Sequence, residues 1–306
     1  MKILVTGGTG FIGRNLIKKL LNKNHDLVVV GRSEDKIKKV FGESVTCVGW
    51  NLSEPVTEKN NELAKALNNT DAVIHLAGEN ISDKRWNEEF KNRIINSRVM
   101  STRLLVDCIK ENESRPEIFI SSSAIGYYGI INKEVVTEQS KPGNDFMSRV
   151  CVEWENASEE LERINIRRVI IRTGIVLNKN EGALKKMLLP YKMFIGGPLG
   201  NGKQWFPWID YRDLVNIYLF TLENNISGAV NAVAPGLVTM KEFGQVLGKQ
   251  LNRPSLFPVP KFVLKIILGE AADYFTEGLK IKPARLSETG FKFEFGELKK
   301  ALTELK

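Results

Sequence analysis

Short apolar runs alternate with longer segments of helical periodicity through the first part of the chain. The apolar runs lie at residues 3–5, 26–30, 44–50, 71–78, 116–124 and 166–174. Between them, apolar residues recur at helical spacing, first over residues 11–21 and at greatest length from about Trp86 to Glu113. Strands that alternate with helices are typical of a parallel, doubly wound sheet. The pattern therefore predicts the α/β fold class.

From about Ala234 onward the pattern is helical only. Three segments show apolar residues at helical spacing, namely 239–251, 261–275 and 296–305. Prolines punctuate them, which is typical of helix ends. Residues 208–215 should return to the sheet, so we expect the two regions to interleave. The predicted division is a sheet domain at 1–178, rejoined by 210–234, and a smaller, mainly helical substrate or cap region at 179–209 and 235–306.

The turn after the first strand is rich in glycine. Gly8, Gly10 and Gly13 satisfy G-x-G-x-x-G, and Gly7, Gly10 and Gly13 satisfy G-x-x-G-x-x-G. Because glycine has no side chain, these positions allow a sharp turn, a close approach of pyrophosphate to the backbone, and tight packing of the helix on the strand. The helix that follows offers free N–H groups to phosphates. The motif predicts a Rossmann-type dinucleotide-binding domain, and the alternative is a tight turn without a ligand.

The end of the second strand indicates which dinucleotide is bound. NAD specificity uses a carboxylate there, about 20 residues past the glycines, which accepts a hydrogen bond from the ribose 2′-hydroxyl. Here the place holds Gly31 and Arg32, followed by Ser33. An arginine can hold a 2′-phosphate with two hydrogen bonds, whereas a carboxylate would repel it. Because Glu34 and Asp35 fit the first turn of the next helix, we predict NADP(H); the alternative is that Arg32 only faces solvent.

Ligands of parallel sheets gather at the carboxyl ends of the strands. That edge, together with the glycine turn, defines the predicted cofactor contacts. Arg98, on the long helix, could reach a phosphate or ribose; the alternative is a solvated cation. The predicted cofactor-binding residues are Gly7, Thr9, Gly10, Phe11, Ile12, Gly13, Arg32, Ser33, Asn51, Leu52, Leu76, Ala77, Gly78, Glu79, Arg98, Ser121, Gly174, Ile175 and Val176.

Several motifs together resemble a known family. TGGTGFIG, DAVIHLAG, SSSAIGYYG and WIDYRDLV resemble the extended short-chain dehydrogenase/reductase family, which includes nucleotide-sugar epimerases and dehydratases. AGENISDKRW, RTGIVL, GGPLGNGKQWFPWIDYRDL and PARLSETGFKFEFGELKKAL resemble its atypical epimerase-like branch, the SDR39U1-type proteins of the NAD-dependent epimerase/dehydratase family. The resemblance spans essentially the whole chain. It is specific for fold and cofactor, and much less so for the reaction.

The resemblance implies a catalytic serine, a tyrosine, and a lysine four residues after the tyrosine. Ser123 matches the serine, but the stretch NDFMSRVCVE stands where the other two belong. In one helical register the pair would be Phe146 and Val150; in the next it would be Asp145 and Arg149. Neither register supplies a phenol. We expect Asp145 and Arg149 to form a surface ion pair instead.

Tyr128 matches the family's substrate-contacting tyrosine, which makes it and Ser123 the predicted catalytic residues. The alternative is that Tyr127 and Tyr128 only pack or bind. We expect an NADP(H)-dependent oxidoreductase or nucleotide-sugar-epimerase-like enzyme that transfers hydride at the nicotinamide. Its substrate would be a carbonyl or sugar-nucleotide compound. The alternative function is a catalytically silent, NADP(H)-sensing binding protein.

Composition narrows the remaining classes of function. The net charge is +8, but the 44 basic and 36 acidic residues of the 306 are mixed without long blocks. Because the positive charge is not concentrated in one segment, we expect no nucleic-acid partner. The sequence shows neither a targeting segment nor an apolar run of spanning length, and we expect no membrane partner. Cys47, Cys108 and Cys151 lack metal or redox spacing, which favours reduced thiols and a cytoplasmic location. His25 and His75 are too far apart to predict a metal site.

Overall fold

Seven parallel strands form the central sheet of the computed structural model, which describes residues 1–50, 62–81, 84–130 and 135–305. The described residues form these strands, some of which lie outside the central sheet: β1 (Lys2–Thr6), β2 (Asp26–Gly31), β3 (Thr46–Gly49), β4 (Ala72–His75), β5 (Ile118–Ala124), β6 (Val135–Val136), β7 (Arg167–Thr173), β8 (Ile175–Leu177), β9 (Trp208–Asp210), β10 (Gly228–Ala232) and β11 (Lys280–Ile281). The order in the main sheet is β3-β2-β1-β4-β5-β7-β10, with parallel pairing throughout. The predicted α/β, Rossmann-type fold is confirmed.

Helices cover both faces of the sheet. They are α1 (Phe11–Asn22), α2 (Glu34–Phe41), α3 (Glu62–Leu67), α4 (Glu88–Glu111), α5 (Phe146–Asn156), α6 (Glu160–Arg163), α7 (Gly182–Lys192), α8 (Tyr211–Glu223), α9 (Met240–Leu251), α10 (Lys261–Leu268), α11 (Ala272–Thr276), α12 (Ala284–Glu288) and α13 (Leu298–Ala301). A 3-10 helix (Ile125–Tyr128) follows β5. Apolar residues of α1 and α8 pack on one face, and those of α3 and α4 on the other. Because both faces are covered, strands such as β1 are continuous apolar runs.

The C-terminal part interleaves with the sheet. After α8, strand β10 pairs with β7 at the sheet edge, while α7, α9 and α13 enclose a separate apolar cluster around Phe243 and Trp208. Strands β8 and β9 form a small parallel pair between these layers. The division into domains at 1–178 with 210–234, and at 179–209 with 235–306, stays a prediction. Among the described residues, none of the helices combines the length and the apolar character needed to span a membrane.

Candidate functional site

The glycine turn between β1 and α1 is held by close backbone contacts. Gly7 has φ +69°, and a Cβ there would lie 2.7 Å from the carbonyl carbon of Leu76. A Cβ on Gly13 would lie 2.5 Å from the Gly7 oxygen, since helix and strand meet at this point. Gly10 differs, because it is exposed and its Cβ would meet only the Gly7 oxygen, at 3.2 Å. Gly10 therefore leaves its backbone open to a ligand.

The N-terminus of α1 is free to bind an anion. The helix begins at Phe11 after Gly10, and its N-cap makes no side-chain hydrogen bond. Its first turn contains no acidic residue. The first amides of a helix lack partners within the helix, and the helix dipole places partial positive charge there. Thr9, Phe11 and Ile12 are partly exposed around this site. The geometry suits a phosphate group.

An unpaired cation stands at the tip of β2. Arg32 is exposed and makes neither a hydrogen bond nor an ion pair with any residue in the described ranges. The carboxylate of Glu34 is occupied, because it accepts from the Gly49 amide at 3.0 Å and lies 3.8 Å from Lys38 Nζ. Ser33 caps α2 and accepts from the Lys36 amide at 3.3 Å. Glu34 therefore does not neutralise the charge of Arg32. The predicted contacts Asn51 and Leu52, which follow β3, lie outside the described residues.

The loop after β4 is tied to its neighbours. The Leu76 amide donates to Thr6 O at 3.2 Å, and the Ala77 amide donates to Thr6 Oγ1 at 3.3 Å. Arg98 donates to the carbonyl of Glu79 at 2.9 Å. A Cβ on Gly78 would lie 3.4 Å from the Arg98 guanidinium carbon. Arg98 is therefore part of the support under this loop rather than the solvated cation of the alternative interpretation.

A buried histidine lies beneath the same loop. His75 is fully buried, and its Nδ1 lies 2.7 Å from Thr6 Oγ1. Burial lowers the pKa of His75 to about 4, so the ring is neutral near pH 7. Among the described residues, no group of three or more potential metal ligands comes together.

Residues that follow β7 also lie at this edge of the sheet. Gly174 donates to Ala232 O at 3.0 Å, and a Cβ there would lie 2.7 Å from Pro207 O. Ile175 donates to the same Pro207 oxygen at 2.8 Å, and Val176 is partly exposed beside it. Ser121, by contrast, is buried within β5. The predicted contacts of β1, β2, β4, β5 and β7 thus share one edge of the sheet.

The helix that should carry the family's tyrosine and lysine uses a register that the sequence did not predict. Asp145 caps α5 by accepting from the Ser148 amide at 3.0 Å. The face turned toward the end of β5 carries Met147 and Cys151, since a Cβ on Gly126 would lie 3.2 Å from Met147 Cβ and 3.6 Å from Cys151 Sγ. Arg149 donates to the Asn144 carbonyl at 3.2 Å. The ion pair expected between Asp145 and Arg149 is therefore not formed.

This face of α5 cannot exchange a proton near neutral pH. Met147 does not titrate. Cys151 is fully buried, and desolvation, followed by the nearby Glu155 charge, raises the pKa of its thiol to about 12. The side chains that α5 turns toward Gly126 are thus a thioether and a neutral thiol.

Ser123 belongs to a buried ionic network. Its hydroxyl donates to Glu155 Oε1 at 2.6 Å. The guanidinium of Arg172, on β7, donates through Nε to Glu155 Oε1 at 2.9 Å and through Nη2 to Oε2 at 2.7 Å. All three side chains are buried. The carboxylate is therefore paired, as a buried charge must be.

Tyr128 lies on the other side of Arg172. Its hydroxyl donates to Asn231 Oδ1 at 2.6 Å and accepts from Arg172 Nη1 at 3.1 Å. The side chain is fully buried, and this raises the pKa of the phenol to about 12. The Arg172 guanidinium also stacks on the ring of Tyr127 at 3.4 Å. Arg172 thus joins the two predicted catalytic residues, Ser123 and Tyr128, whose roles stay predictions.

A residue distant in sequence closes over the start of α5. The hydroxyl of Tyr274, on α11, donates to Asp145 Oδ1 at 2.8 Å and accepts from the Met147 amide at 3.2 Å. Its ring lies 5.7 Å from that of Trp86, which is 5.5 Å from Phe146. No motif signalled this contact, because the aromatic residues come from three separate parts of the chain.

The glycine-rich segment at 196–210 mainly supplies core. Phe206 and Trp208 are buried in the cluster with Phe243, and Trp205 is partly buried with Lys280 Nζ 4.8 Å from its ring. These aromatic side chains therefore pack within the protein.

Known proteins resemble the chain along its whole length. A family model described as "NAD dependent epimerase/dehydratase family" matches residues 3–233, and "Domain of unknown function (DUF1731)" matches residues 259–305. The "Epimerase family protein SDR39U1 homolog, chloroplastic" of Arabidopsis thaliana is 40% identical over 305 residues, which cover 99% of this chain and 86% of that protein.

Solved structures agree with this similarity. The human epimerase family protein SDR39U1, crystallised with NADPH, is 35% identical and superposes with a TM-score of 0.89 over 99% of this chain and 98% of that one. A UDP-glucose 4-epimerase from Thermotoga maritima, with UDP-glucose, has a TM-score of 0.79 at 16% identity, covering 99% and 96% of the two chains, and shares the fold alone. The chain therefore belongs to the NAD-dependent epimerase/dehydratase family, as an SDR39U1-type protein with a C-terminal DUF1731 region.

Proposed function

We propose that this chain binds NADP(H) in preference to NAD(H) and uses it for hydride transfer to or from a carbonyl or sugar-nucleotide compound, without the tyrosine–lysine relay of its parent family. The observation that carries the proposal is Arg32, exposed and unpaired among the described residues, at the tip of β2. The carboxylate of Glu34 does not compete with it, because Glu34 is held by Gly49 and Lys38.

The residues present fit the coenzyme. The open backbone at Gly10 and the uncapped start of α1 would hold the pyrophosphate. Arg32 and Ser33 would hold the 2′-phosphate. The loop Leu76–Glu79 and residues Gly174–Val176 complete the same edge. The NADPH in the human relative's crystal structure supports this assignment.

The protein's own contribution to the reaction is restricted by its hydrogen bonds. Bound NADP(H) would supply the hydride chemistry at nicotinamide C4. The Ser123 hydroxyl already donates to Glu155, so it can accept a hydrogen bond from a substrate hydroxyl but not donate one to a carbonyl. Tyr128 likewise donates to Asn231. We therefore expect reduction to draw its proton from the substrate or solvent, and to be slow.

A second candidate function is coenzyme sensing without turnover. It is favoured by Met147 and Cys151, which α5 turns toward the residues after β5 and which cannot act as a tyrosine–lysine pair, and by the fully paired Ser123 network. For either function we propose a cytoplasmic location, supported by the three cysteines, which are all free.

Coenzyme titration tests the binding proposal. We expect wild-type protein to bind NADPH more tightly than NADH. Arg32→Ala should lower the affinity for NADPH by about 10- to 100-fold, as is typical for loss of a charge-assisted hydrogen-bonded pair. It should leave the affinity for NADH unchanged. Lys39→Ala is the matched control, because Lys39 is an exposed cation on α2, the helix that follows Arg32. Equal affinities of the wild-type protein for the two coenzymes would refute the proposal.

Turnover separates the two candidate functions. Sugar nucleotides and reactive carbonyl compounds are screened for NADPH oxidation, and hydroxyl compounds for NADP reduction. Turnover of any of these compounds by the wild-type protein supports the enzyme, and Ser123→Ala and Tyr128→Phe report whether the two hydroxyls contribute to it. Tight NADPH binding with no turnover in either direction supports the sensor.

A further inference from the structure

Large apolar side chains are exposed mainly on one part of the cap. Of the thirteen large hydrophobic residues that are exposed within the described ranges, eight lie between Leu189 and Ile266. Single exposed apolar residues are common on protein surfaces, but a cluster marks an interaction site. We define the apolar cap face as Leu189, Met193, Phe194, Ile195, Leu256 and Phe257, each more than half exposed.

Two chain segments join to form this face. The amides of Leu256 and Phe257 both donate to the carbonyl of Gly196, at 3.0 and 3.2 Å, so the second segment runs beside Ile195. The guanidinium of Arg253 lies 4.2 Å from the Phe194 ring. Farther along the chain, α10 exposes Phe262 and Ile266, which are one helical turn apart. The two segments of the face are therefore joined by backbone hydrogen bonds and by the contact of Arg253 with Phe194.

The backbone at Phe194 is unfavourable for the residue that it carries. Helix α7 ends in a Schellman motif, in which the Phe194 amide donates to Tyr191 O and the Ile195 amide to Pro190 O, both at 3.0 Å. Phe194 has φ +63°, a conformation for which glycine is the usual residue. A bulky residue there costs about 1–2 kcal/mol. The fold carries this cost while leaving the ring 55% exposed, so folding alone does not account for the phenylalanine.

The two segments that form the apolar cap face carry basic residues and no acidic ones. Residues 182–195 contain Lys185, Lys186 and Lys192 and no acidic residue. Residues 249–266 contain four basic residues and no acidic one, although Lys261 and Lys265 pair with Asp273 on α11. On α7, Lys185, Leu189 and Lys192 share one helical face. Apolar side chains flanked by lysine and arginine match the interface of an anionic lipid bilayer.

We propose that the apolar cap face binds peripherally to membranes that contain anionic lipids. A second copy of the chain fits less well, because a two-fold interface would bring the same cations together. Binding would be interfacial, with the rings entering the headgroup region and the cations meeting lipid phosphates. The sequence predicted no membrane partner because it shows no apolar run of spanning length, whereas interfacial binding needs no such run. Coenzyme binding does not involve this face, so the two proposals stand or fall separately.

Vesicle binding of the full chain tests this proposal. Protein is sedimented with vesicles of phosphatidylcholine alone or of equimolar phosphatidylcholine and phosphatidylglycerol. We expect about tenfold more binding to the anionic vesicles, decreasing with added salt. Phe194→Gly should reduce this binding while leaving the melting temperature unchanged or higher, since glycine suits φ +63°. Met100→Ser, at an exposed apolar residue of α4, should bind as the wild-type protein does.

Each outcome of the vesicle experiment either supports or overturns the proposal of membrane binding. Binding to anionic vesicles that Phe194→Gly and Leu256→Ser weaken, with folding intact, supports the proposal. Absence of vesicle binding, or binding that these variants leave unchanged, overturns it. A concentration-dependent dimer that Phe194→Gly dissociates, without vesicle binding, also overturns it and identifies the face as a self-association surface.

Discussion

The two ends of the predicted coenzyme site differ in how their polar groups are satisfied. At the adenosine end, Arg32 has no partner among the described residues and α1 begins without a cap. At the nicotinamide end, Ser123, Glu155, Arg172 and Tyr128 satisfy one another inside the protein. Unpaired groups at a surface are available to a ligand, whereas a closed network gains nothing by opening. The contrast supports the proposal that the chain binds the coenzyme but transfers protons poorly from its own side chains.

The largest effect should come from breaking the closed network. Arg172→Leu leaves the Glu155 carboxylate buried without its partner, so we expect the free energy of unfolding to fall by about 3–5 kcal/mol. Urea denaturation measures this. Lys23→Ala, which breaks the exposed pair with Glu223, should have little effect. A loss from Arg172→Leu no larger than that of the control would mean that the nicotinamide end is not a closed unit.

The glycine turn should separate binding from stability. Gly13→Ala places a methyl group 2.5 Å from the Gly7 oxygen, and we expect it to destabilise the fold by about 1–3 kcal/mol. Gly10→Ala meets only one atom, at 3.2 Å, so the fold should change little. Affinity for NADPH should nevertheless fall about tenfold, because the methyl group blocks the pyrophosphate. Unchanged NADPH affinity of a folded Gly10→Ala protein would place the coenzyme elsewhere.

Alkaline pH should weaken the nicotinamide end. The buried Cys151 thiol has its pKa raised from 9 to about 12, so the folded protein keeps a proton that the unfolded chain loses above pH 9. Stability from this group is full below pH 9 and declines as pH rises, by at most about 1.4 kcal/mol per pH unit.

Comparison of wild-type protein with Cys151→Ala isolates this effect. Cys108, Tyr128 and Tyr218 have pKa values raised in the same direction by burial, so both proteins should lose stability in alkali. Urea denaturation at about pH 8 and pH 10 should show a steeper loss for wild-type protein. Equal slopes would mean that the Cys151 thiol is not protected by burial.

The smallest effect concerns the aromatic cover over α5. Tyr274→Phe removes the hydroxyl that bonds to Asp145 and the Met147 amide, and we expect a loss of about 0.5–1.5 kcal/mol in the free energy of unfolding. Tyr211→Phe is the control, since the Tyr211 hydroxyl has no hydrogen-bond partner among the described residues. Equal effects of the two changes would show that the cover contributes no specific hydrogen bond.

The sheet and the glycine turn were predictable because their signals are local. A β-branched run between glycine and an amphipathic segment specifies strand, turn and helix within a few residues, and the structure places β1 and α1 within one residue of those limits. Glu34 and Asp35 also lie in the first turn of α2, as their sequence position predicted. The local sequence pattern therefore predicted the strand, turn and helices that form the adenosine end of the proposed site.

The register of α5 was not predictable from its own sequence. FMSRVCVEW contains two adjacent apolar stripes, one through Phe146 and Val150 and the other through Met147 and Cys151. Only contacts with distant elements distinguish them, because Met147 and Cys151 lie against the 3-10 helix after β5, whereas the Phe146 ring lies 5.5 Å from that of Trp86. The partner of the Tyr128 phenol, Asn231, likewise lies 103 residues away. Long-range contacts therefore determine the arrangement of side chains at the nicotinamide end, which the local sequence does not predict.

A crystal structure of this chain with NADPH tests the contrast between the two ends most directly. The account predicts that the Arg32 guanidinium lies within hydrogen-bonding distance of the 2′-phosphate, while the Ser123 hydroxyl remains bonded to Glu155. A 2′-phosphate in solvent with Arg32 turned away, or a Ser123 hydroxyl that leaves Glu155 to face the nicotinamide, would contradict it.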